Sequence, residues 1–416
     1  MDHYVGIDVS LEASSICVIN GSGKIVQEAK VLSELEPLIV FLRSLGLQLT
    51  RIGLEAGPLS QWLYAGLKSE GFSVELLETR HVRDAFKAMA VKTDRKDARG
   101  IAQLLRLGWF KPAHCKSAAA QEIRALLTAR KLIQSKLYDI EMSLRGILRG
   151  FGLKVGPTTP KRFAGRVAEL TRDHPALRTV AQALIKVHEV LMDELCAFEK
   201  QVRSIARSDG RVKLLMTTPG VGAIVALTFV SAVDDPGRFS SSKRVGAHFG
   251  LTPKKYQSGE TDVTGRISKT GDGGVRAVLF EAAHIVLTRP VKGGALKSWA
   301  SRLAKRAGMK KAKVALARKL AVILHRMWPL RHDVNQSLSG SNQLFRCPNA
   351  GTMDEVSRES VCDFDRARLD WPCLVFSTPI RWRLHADHGQ KREPAKGKRR
   401  VDKGPLQKTD SITSWD

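Results

Sequence analysis

The chain has 416 residues, 43% of them hydrophobic, which is enough apolar material for two or three cored domains. Its 68 Lys and Arg outweigh 41 Asp and Glu by +27, a balance that points to a polyanionic partner, nucleic acid before an anionic membrane surface. A transmembrane helix, a signal peptide and a zinc or disulfide framework are all excluded as expectations. No long apolar run is free of charge, Asp2, Asp8 and Glu12 interrupt the N-terminus, and the six cysteines form no CxxC pair, so a reducing cytoplasm is expected.

In chain order, Tyr4–Val9 and Ser15–Ile19 read as short strands, with Asp8 inside the first. Gly21-Ser22-Gly23-Lys24 reads as a hairpin turn. Leu32–Leu45 has helical periodicity, Arg51–Glu55 is a strand ending in a carboxylate, Ser60–Glu70 is a helix and Ser73–Leu77 a strand. Thr93 sits at the N-cap of a helix running to Leu107, with apolar residues at Ala98, Ile101, Ala102 and Leu105. Residues 1–112 therefore read as an α/β domain with a mixed sheet.

Residues 113–210 change character. Leu126, Ile133, Ile140 and Ile147 recur every seven residues, with Leu137, Leu144 and Phe151 at the second position of a heptad seam. After a break at Gly152–Pro160, Leu177, Val180, Leu184, Val187 and Leu191 resume a spacing of three and four. Two long helices folding back on each other, or pairing between chains as a coiled coil, fit this pattern. Residues 211–330 form a third, mainly helical block, and 331–416 a basic tail expected to be disordered.

Burying the Asp8 charge needs a partner, a metal or an exposed strand end. Glu55 ends a later strand, and Asp94 and Asp97, three apart, share one face of a helix's first turn. Four ionised carboxylates gathered from strand, strand and helix need counter-charge, which two divalent ions roughly 4 Å apart would supply. Mg2+ suits an all-oxygen shell, with Mn2+ the alternative.

That pattern resembles a ribonuclease-H-like domain of the Holliday-junction-resolvase type, and more narrowly the DEDD transposases of the IS110 insertion-sequence family. Gly6-Ile7-Asp8-Val9-Ser10, Leu54-Glu55-Ala56-Gly57 and Lys92-Thr93-Asp94-Arg95-Lys96-Asp97-Ala98 carry the resemblance. It implies that Asp8, Glu55, Asp94 and Asp97 form the metal-binding catalytic tetrad. The third block extends it. Pro219-Gly220-Val221-Gly222 before Ala223–Phe229 looks like a helix-hairpin-helix turn, and Gly220 and Gly222 would let backbone N–H groups approach a phosphate. Gly250-Leu251-Thr252-Pro253, Gln257-Ser258-Gly259 and Ile267 to Asp272 are similar to the family's C-terminal domain, which implies Ser258 as the attacking nucleophile. Lys254, Lys255, Arg266, Lys269 and Arg276 surround it in sequence and would screen phosphate charge. Ser240, Ser241 and Ser242 read instead as a helix N-cap cluster.

The resemblance further implies donor and target DNA, a structured guide RNA, a homodimer or tetramer, and action at the nucleoid of a bacterial or archaeal cell. The expected function is cutting and rejoining of DNA through a covalent phosphoserine. Two other classes compete. A junction nuclease would use metal-activated water and leave Ser258 idle. An actin-like sugar kinase would share the opening Gly6-Ile7-Asp8-Val9 but need a second glycine-rich phosphate hairpin, which the sequence lacks.

Overall fold

The computed structural model describes residues 2–87, 92–290 and 294–328, so the tail expected to be disordered lies outside the described residues. Residues 2–156 and 163–328 fall in one compact unit, and 157–162 are grouped apart from it.

The chain opens with β1 (His3–Asp8), β2 (Ala13–Asn20) and β3 (Ile25–Leu32), then α1 (Leu35–Ser44), β4 (Leu49–Glu55), α2 (Ser60–Ser69), β5 (Val74–Leu77), α3 (Thr79–Phe86) and α4 (Asp94–Arg106). The five strands form one mixed sheet in the order β3-β2-β1-β4-β5. β1 runs antiparallel to β2 and parallel to β4. The Gly21–Lys24 turn joins β2 to β3, held by Asn20, whose Oδ1 accepts from the backbone N–H groups of Ser22 and Lys24 at 3.1 and 2.9 Å. β3 and α3 go beyond the sequence expectation, because β3 mixes polar and apolar residues without strict alternation and α3 is polar over most of its length.

Strand alternation sorts the sheet's two faces. Val5, Ile7, Ile16, Val18, Ile52 and Leu54 point to one side and pack against Leu38 and Leu42 of α1 and Leu63 and Leu67 of α2. The opposite parity faces α4. There Gly53, Gly6, Cys17 and Glu28 are cross-strand neighbours on four adjacent strands. The two glycines let the helix descend onto the sheet. A Cβ on Gly6 would lie 2.1 Å from the carbonyl oxygen of Ala98, and one on Gly53 would lie 2.6 Å from Leu105 Cδ1.

α5 (Ala118–Arg149), α6 (Pro160–Leu170) and α7 (Pro175–Ser208) follow. α5 and α7 fold back on each other within the chain. Arg130 Nε donates to Glu199 Oε1 at 2.6 Å, and buried His188 lies 3.2 Å from Glu141 Oε1. The seam read from the sequence is divided. Leu137 and Leu144 are buried and Leu126 and Ile140 half-buried, whereas Ile147, Phe151, Val180 and Val187 are exposed. Phe163 and Val167 of α6 pack instead against Leu144, Leu148 and Ala181.

The remaining elements are α8 (Gly210–Met216), α9 (Ala223–Val233), α10 (Ser242–His248), the hairpin β6 (Pro253–Ser258) and β7 (Thr261–Ile267), α11 (Gly273–Thr288), α12 (Gly294–Ala307) and α13 (Met309–Met327). Apart from the hairpin, they share one core with the start of α5 and the end of α7, built around α9, which is buried along almost its whole length.

A clasp joins the sheet region to this core. Ala113 N donates to Leu76 O at the sheet edge. One helical turn's reach further on, Asp234 Oδ2 lies 2.9 Å from His114 Nε2 and accepts from Ser117 N at 2.8 Å, while its Oδ1 accepts from Ser117 Oγ at 2.6 Å. Asp234 follows the end of α9 at φ +63, ψ −70, and Asp235 N donates to Val233 O at 2.8 Å. That is a γ-turn of the strained hand, costing about 1–3 kcal/mol. Lys116 Nζ and Arg238 donate to the last carbonyls of α9, where the helix dipole favours cations.

Candidate active site

β1 delivers Asp8 as its last residue, so the carboxylate stands at the strand's C-terminal end rather than within it as the sequence suggested. Asp8 shares the parity of Gly6, and Glu55, the last residue of β4, shares that of Gly53. Both therefore belong to the face that α4 covers, on adjacent parallel strands whose pairing closes at Ile7 and Leu54. The loops beyond are pinned. Ser33 Oγ donates to Ser10 O at 2.7 Å, and Thr79 Oγ1 donates to Ala56 O at 2.7 Å.

α4 starts where its cap dictates. Thr93 Oγ1 accepts from Lys96 N at 3.3 Å, which leaves Asp94 and Asp97 in the first turn. At 3.6 residues per turn, Ala98, Ala102 and Leu105 face the sheet, with Asp94 and Asp97 on one flank of that stripe and Arg95 and Arg99 on the other.

The acids lie near enough to perturb one another. Burial first, then the charges of Asp97 and Asp94, push the Asp8 carboxyl up from 3.8 to about 6, and Lys92 opposes the shift. Glu55 is raised by burial and then by Asp8. Asp97 is 5% exposed; its Oδ2 lies 3.5 Å from Lys92 Nζ, and its Oδ1 is buried with no hydrogen-bond partner among the described residues. Lys92 is 83% exposed along its side chain, a weak counter-ion in water. Among the described residues no three His, Cys, Asp or Glu side chains are drawn together closely enough to hold a metal ion as they stand. The donor set fits a hard divalent ion: all-oxygen, anionic, and with an orphaned buried carboxylate oxygen.

Ser258 occupies a separate element. It ends β6, which pairs only with β7, and the two-residue turn starts at Gly259 with φ +55, the glycine-first pattern of a II′ hairpin. Every residue of β6 is exposed. The root of the hairpin is firmly held. Ser268 N donates to Thr252 O, Lys269 N to Gly250 O, and Arg276 Nη1 to the carbonyls of Phe249, Thr270 and Gly271 at 3.1, 2.5 and 3.0 Å. Lys254, Lys255 and Arg266 lie on the exposed strands, with Lys255 Nζ 3.1 Å from Asp262. Arg276 thus secures the root of the hairpin, while Lys254 and Arg266 project along its sides.

Gly220, at φ +80, lies in the turn between α8 and α9 and leaves room for α11, since a Cβ there would come within 2.7 Å of Ala282 O. Gly222 is the N-cap of α9, with open space beside it and no side-chain cap on the first turn. Ser241 is the N-cap of α10 but caps nothing with its side chain, and Ser242 Oγ lies 2.9 Å from His325 Nδ1. Sequence reasoning did not single out Glu28, Lys116, Asp234 or His114, whose partners are distant in the chain.

Among the described residues no helix is long and apolar enough to cross a membrane. A profile described as "Transposase IS116/IS110/IS902 family" matches residues 212–295, and a second transposase profile, of the DEDD type, matches residues 5–152. The transposase for insertion sequence element IS1111A of Coxiella burnetii is 28% identical over 333 residues, 77% of this chain and 88% of that protein. A putative transposase of Sinorhizobium fredii, y4pF/y4sB, is 29% identical over 283 residues, 66% of this chain and 71% of its own length. The transposase for element IS1328 of Yersinia enterocolitica is 24% identical over 278 residues, 65% and 81% of the two chains.

Proposed function

The chain belongs to the IS110 family of insertion-sequence transposases, enzymes that act on DNA, and from that premise we propose how its residues divide the work. Asp8, Glu55, Asp94 and Asp97 form a ribonuclease-H-like acidic tetrad for two Mg2+ ions, with Mn2+ able to substitute. The observation that supports this is that Asp8 and Glu55 end adjacent strands on the face α4 covers, with Asp8 raised to about 6 by burial and then by Asp97 and Asp94, and with Asp97 Oδ1 buried and unpartnered. Divalent ions bound there would activate a hydroxyl and neutralise charge developing on phosphate.

Ser258 is the nucleophile. Its Oγ forms a bond to the scissile phosphorus and releases one deoxyribose hydroxyl, which takes up a proton. A hydroxyl of the second DNA end reverses the step, so the phosphodiester energy is kept and no ATP is needed. Ser258 stands exposed on its hairpin with no hydrogen-bonded base among the described residues, which favours a composite site in which a partner or a conformational change brings hairpin and tetrad together. The exposed apolar side chains Ile147, Phe151, Val180 and Val187 support a coiled-coil contact between copies in a dimer or tetramer.

The working domains are residues 1–112 for the tetrad, 113–210 for the helical linker, 211–330 for the nucleophile with its helix-hairpin-helix-like turn, and 331–416 for the basic tail. Gly294–Trp328 carries ten Lys and Arg and no acid, which supports a polyanionic partner, as donor and target DNA and a structured guide RNA would be.

Incubation of the protein with its copurified RNA, Mg2+ and labelled donor DNA tests the reading. A protease-sensitive shifted band on a denaturing gel, absent from Ser258→Ala, is the expected result. Cleavage with no shifted band would replace it with a metal-activated-water endonuclease. That second reading draws on the same exposure of Ser258.

A further inference from the structure

Arg95 and Arg99 are interleaved with Asp94 and Asp97 in one stretch of sequence, Asp94-Arg95-Lys96-Asp97-Ala98-Arg99. By default such arginines pair with neighbouring acids and cancel their charge. Here they do not. Both turn to Glu28 of β3, across the sheet from the acidic end of β1 and β4. Arg95 Nε donates to Glu28 Oε2 at 2.7 Å and Arg99 Nη2 to the same oxygen at 2.8 Å, while Arg95 Nη2 and Arg99 Nε complete a double fork. The Glu28 side chain is only 12% exposed against 68% for Arg95 and 37% for Arg99, so a sheltered carboxylate holds two arginines that reach out to solvent in a charge-assisted cluster.

The sheet register explains why Glu28 can reach. It pairs with Cys17, which pairs with Gly6, and α4 crosses directly above Gly6. Glu28 therefore stands beside α4 on the arginine flank, while Asp8 and Glu55 lie at the carboxylate flank. Glu28 itself is held down at about 2, first by its hydrogen bonds to Arg99 and then to Arg95, so it stays ionised throughout the working pH range.

We propose that Glu28 is a positioning residue that diverts Arg95 and Arg99 from the acidic end of the sheet, leaving the Asp8–Glu55–Asp94–Asp97 group anionic and open to a divalent cation. It touches no reacting atom and acts only through the two arginines. The proposal rests on the tetrad reading above, and the test separates the two. Without Glu28, two guanidinium groups on flexible stems gain freedom beside four carboxylates and compete with the metal.

The measurement is Mn2+ affinity by titration calorimetry on the full chain without nucleic acid, with thermal unfolding as the fold control. Wild type should bind and Asp8→Asn should not; equal binding by both would refute the tetrad itself. Given that difference, Glu28→Gln should bind about tenfold more weakly, the scale of a like charge arriving beside a site. The triple variant Glu28→Gln, Arg95→Gln, Arg99→Gln should recover to within about threefold of wild type, because removing the arginines removes the competitor. A role limited to anchoring α4 predicts no recovery. Wild-type affinity in Glu28→Gln, or a triple variant as weak as the single, would overturn the proposal. If Glu28→Gln does not fold, Arg95→Gln with Arg99→Gln still decides: affinity at or above wild type supports diversion, and a tenfold loss defeats it.

Discussion

The acidic sheet end and the Ser258 hairpin are both candidate halves of one site, and they are built in opposite ways. The first is fixed on all sides. Strand parity aims Asp8 and Glu55, Thr93 starts α4, and two glycines let α4 sit close on the sheet, Gly6 against its backbone and Gly53 against Leu105. The second is fixed only at its root, and its strands touch solvent on both faces. Metal chemistry needs carboxylates placed in advance, whereas a nucleophile that must follow a DNA strand needs reach.

The largest test of that contrast is functional. Asp8→Asn and Ser258→Ala should each lower strand exchange by about a thousandfold or more, the scale for losing a member of a catalytic unit. Only Asp8→Asn should also lower Mn2+ binding, as read by calorimetry. Retained exchange in Ser258→Ala would remove the hairpin from the comparison.

The same glycine substitution should then cost very different amounts in the two regions. Gly6→Ala forces a Cβ against the Ala98 carbonyl and should destabilise by about 3 kcal/mol, the upper end for overpacking. Gly259→Ala meets nothing within 4 Å and should cost about 1 kcal/mol, the backbone penalty for positive φ alone. Urea unfolding midpoints would show whether the gap is real.

A smaller, pH-dependent difference should follow from Asp8. Its folded carboxyl holds a proton up to about 6 against 3.8 ordinarily, so the folded state binds more protons across that window. Its contribution to stability is therefore full below about pH 4 and is lost as pH rises towards 6. Glu55 adds in the same direction. In metal-free protein, thermal midpoints of wild type relative to Asp8→Asn should fall between those values, and Mg2+ should abolish the fall. The lowered carboxyls of Glu28, Asp209, Asp234 and Asp272 have the opposite sign and cancel in that difference.

The smallest effect should lie outside both regions. Lys310→Ala with Lys311→Ala removes two exposed cations from α13, and should weaken DNA binding a few fold while lowering the salt slope by about 2. An unchanged slope would place the DNA elsewhere.

What could be read from the sequence was what local chemistry decides. The strand ending at Glu55, the Thr93 cap, the Asp94–Asp97 pair and the Gly21–Lys24 turn all depend on neighbours within four residues. The end of β1 was misplaced because the loop after Asp8 is set by Ser33, 23 residues beyond its acceptor Ser10. The heptad seam was half right, because the packing of α6 against Leu148 and Ala181 redirects burial away from Ile147 and Val180. Glu28 looked like an ordinary edge-strand acid, since its partners lie 67 and 71 residues away. The metal and nucleophile assignments rest on the family resemblance beyond what local pattern supplies.

The γ-turn at Asp234 has a mechanical consequence. Asp234 ends α9 and also binds the N-cap residue of α5, so the foot of a 32-residue rod is bolted to the most deeply buried helix of the C-terminal core. At 1.5 Å per residue that rod is about 48 Å long, and a tilt of about 10° at its foot sweeps the far end through about 8 Å. The strained corner at Asp234 therefore helps, with the packing of α5 on α7 and α9, to fix the foot of a long arm, and changes at Asp234, His114 or Ser117 would be felt furthest at the distant tip where α5 meets α6.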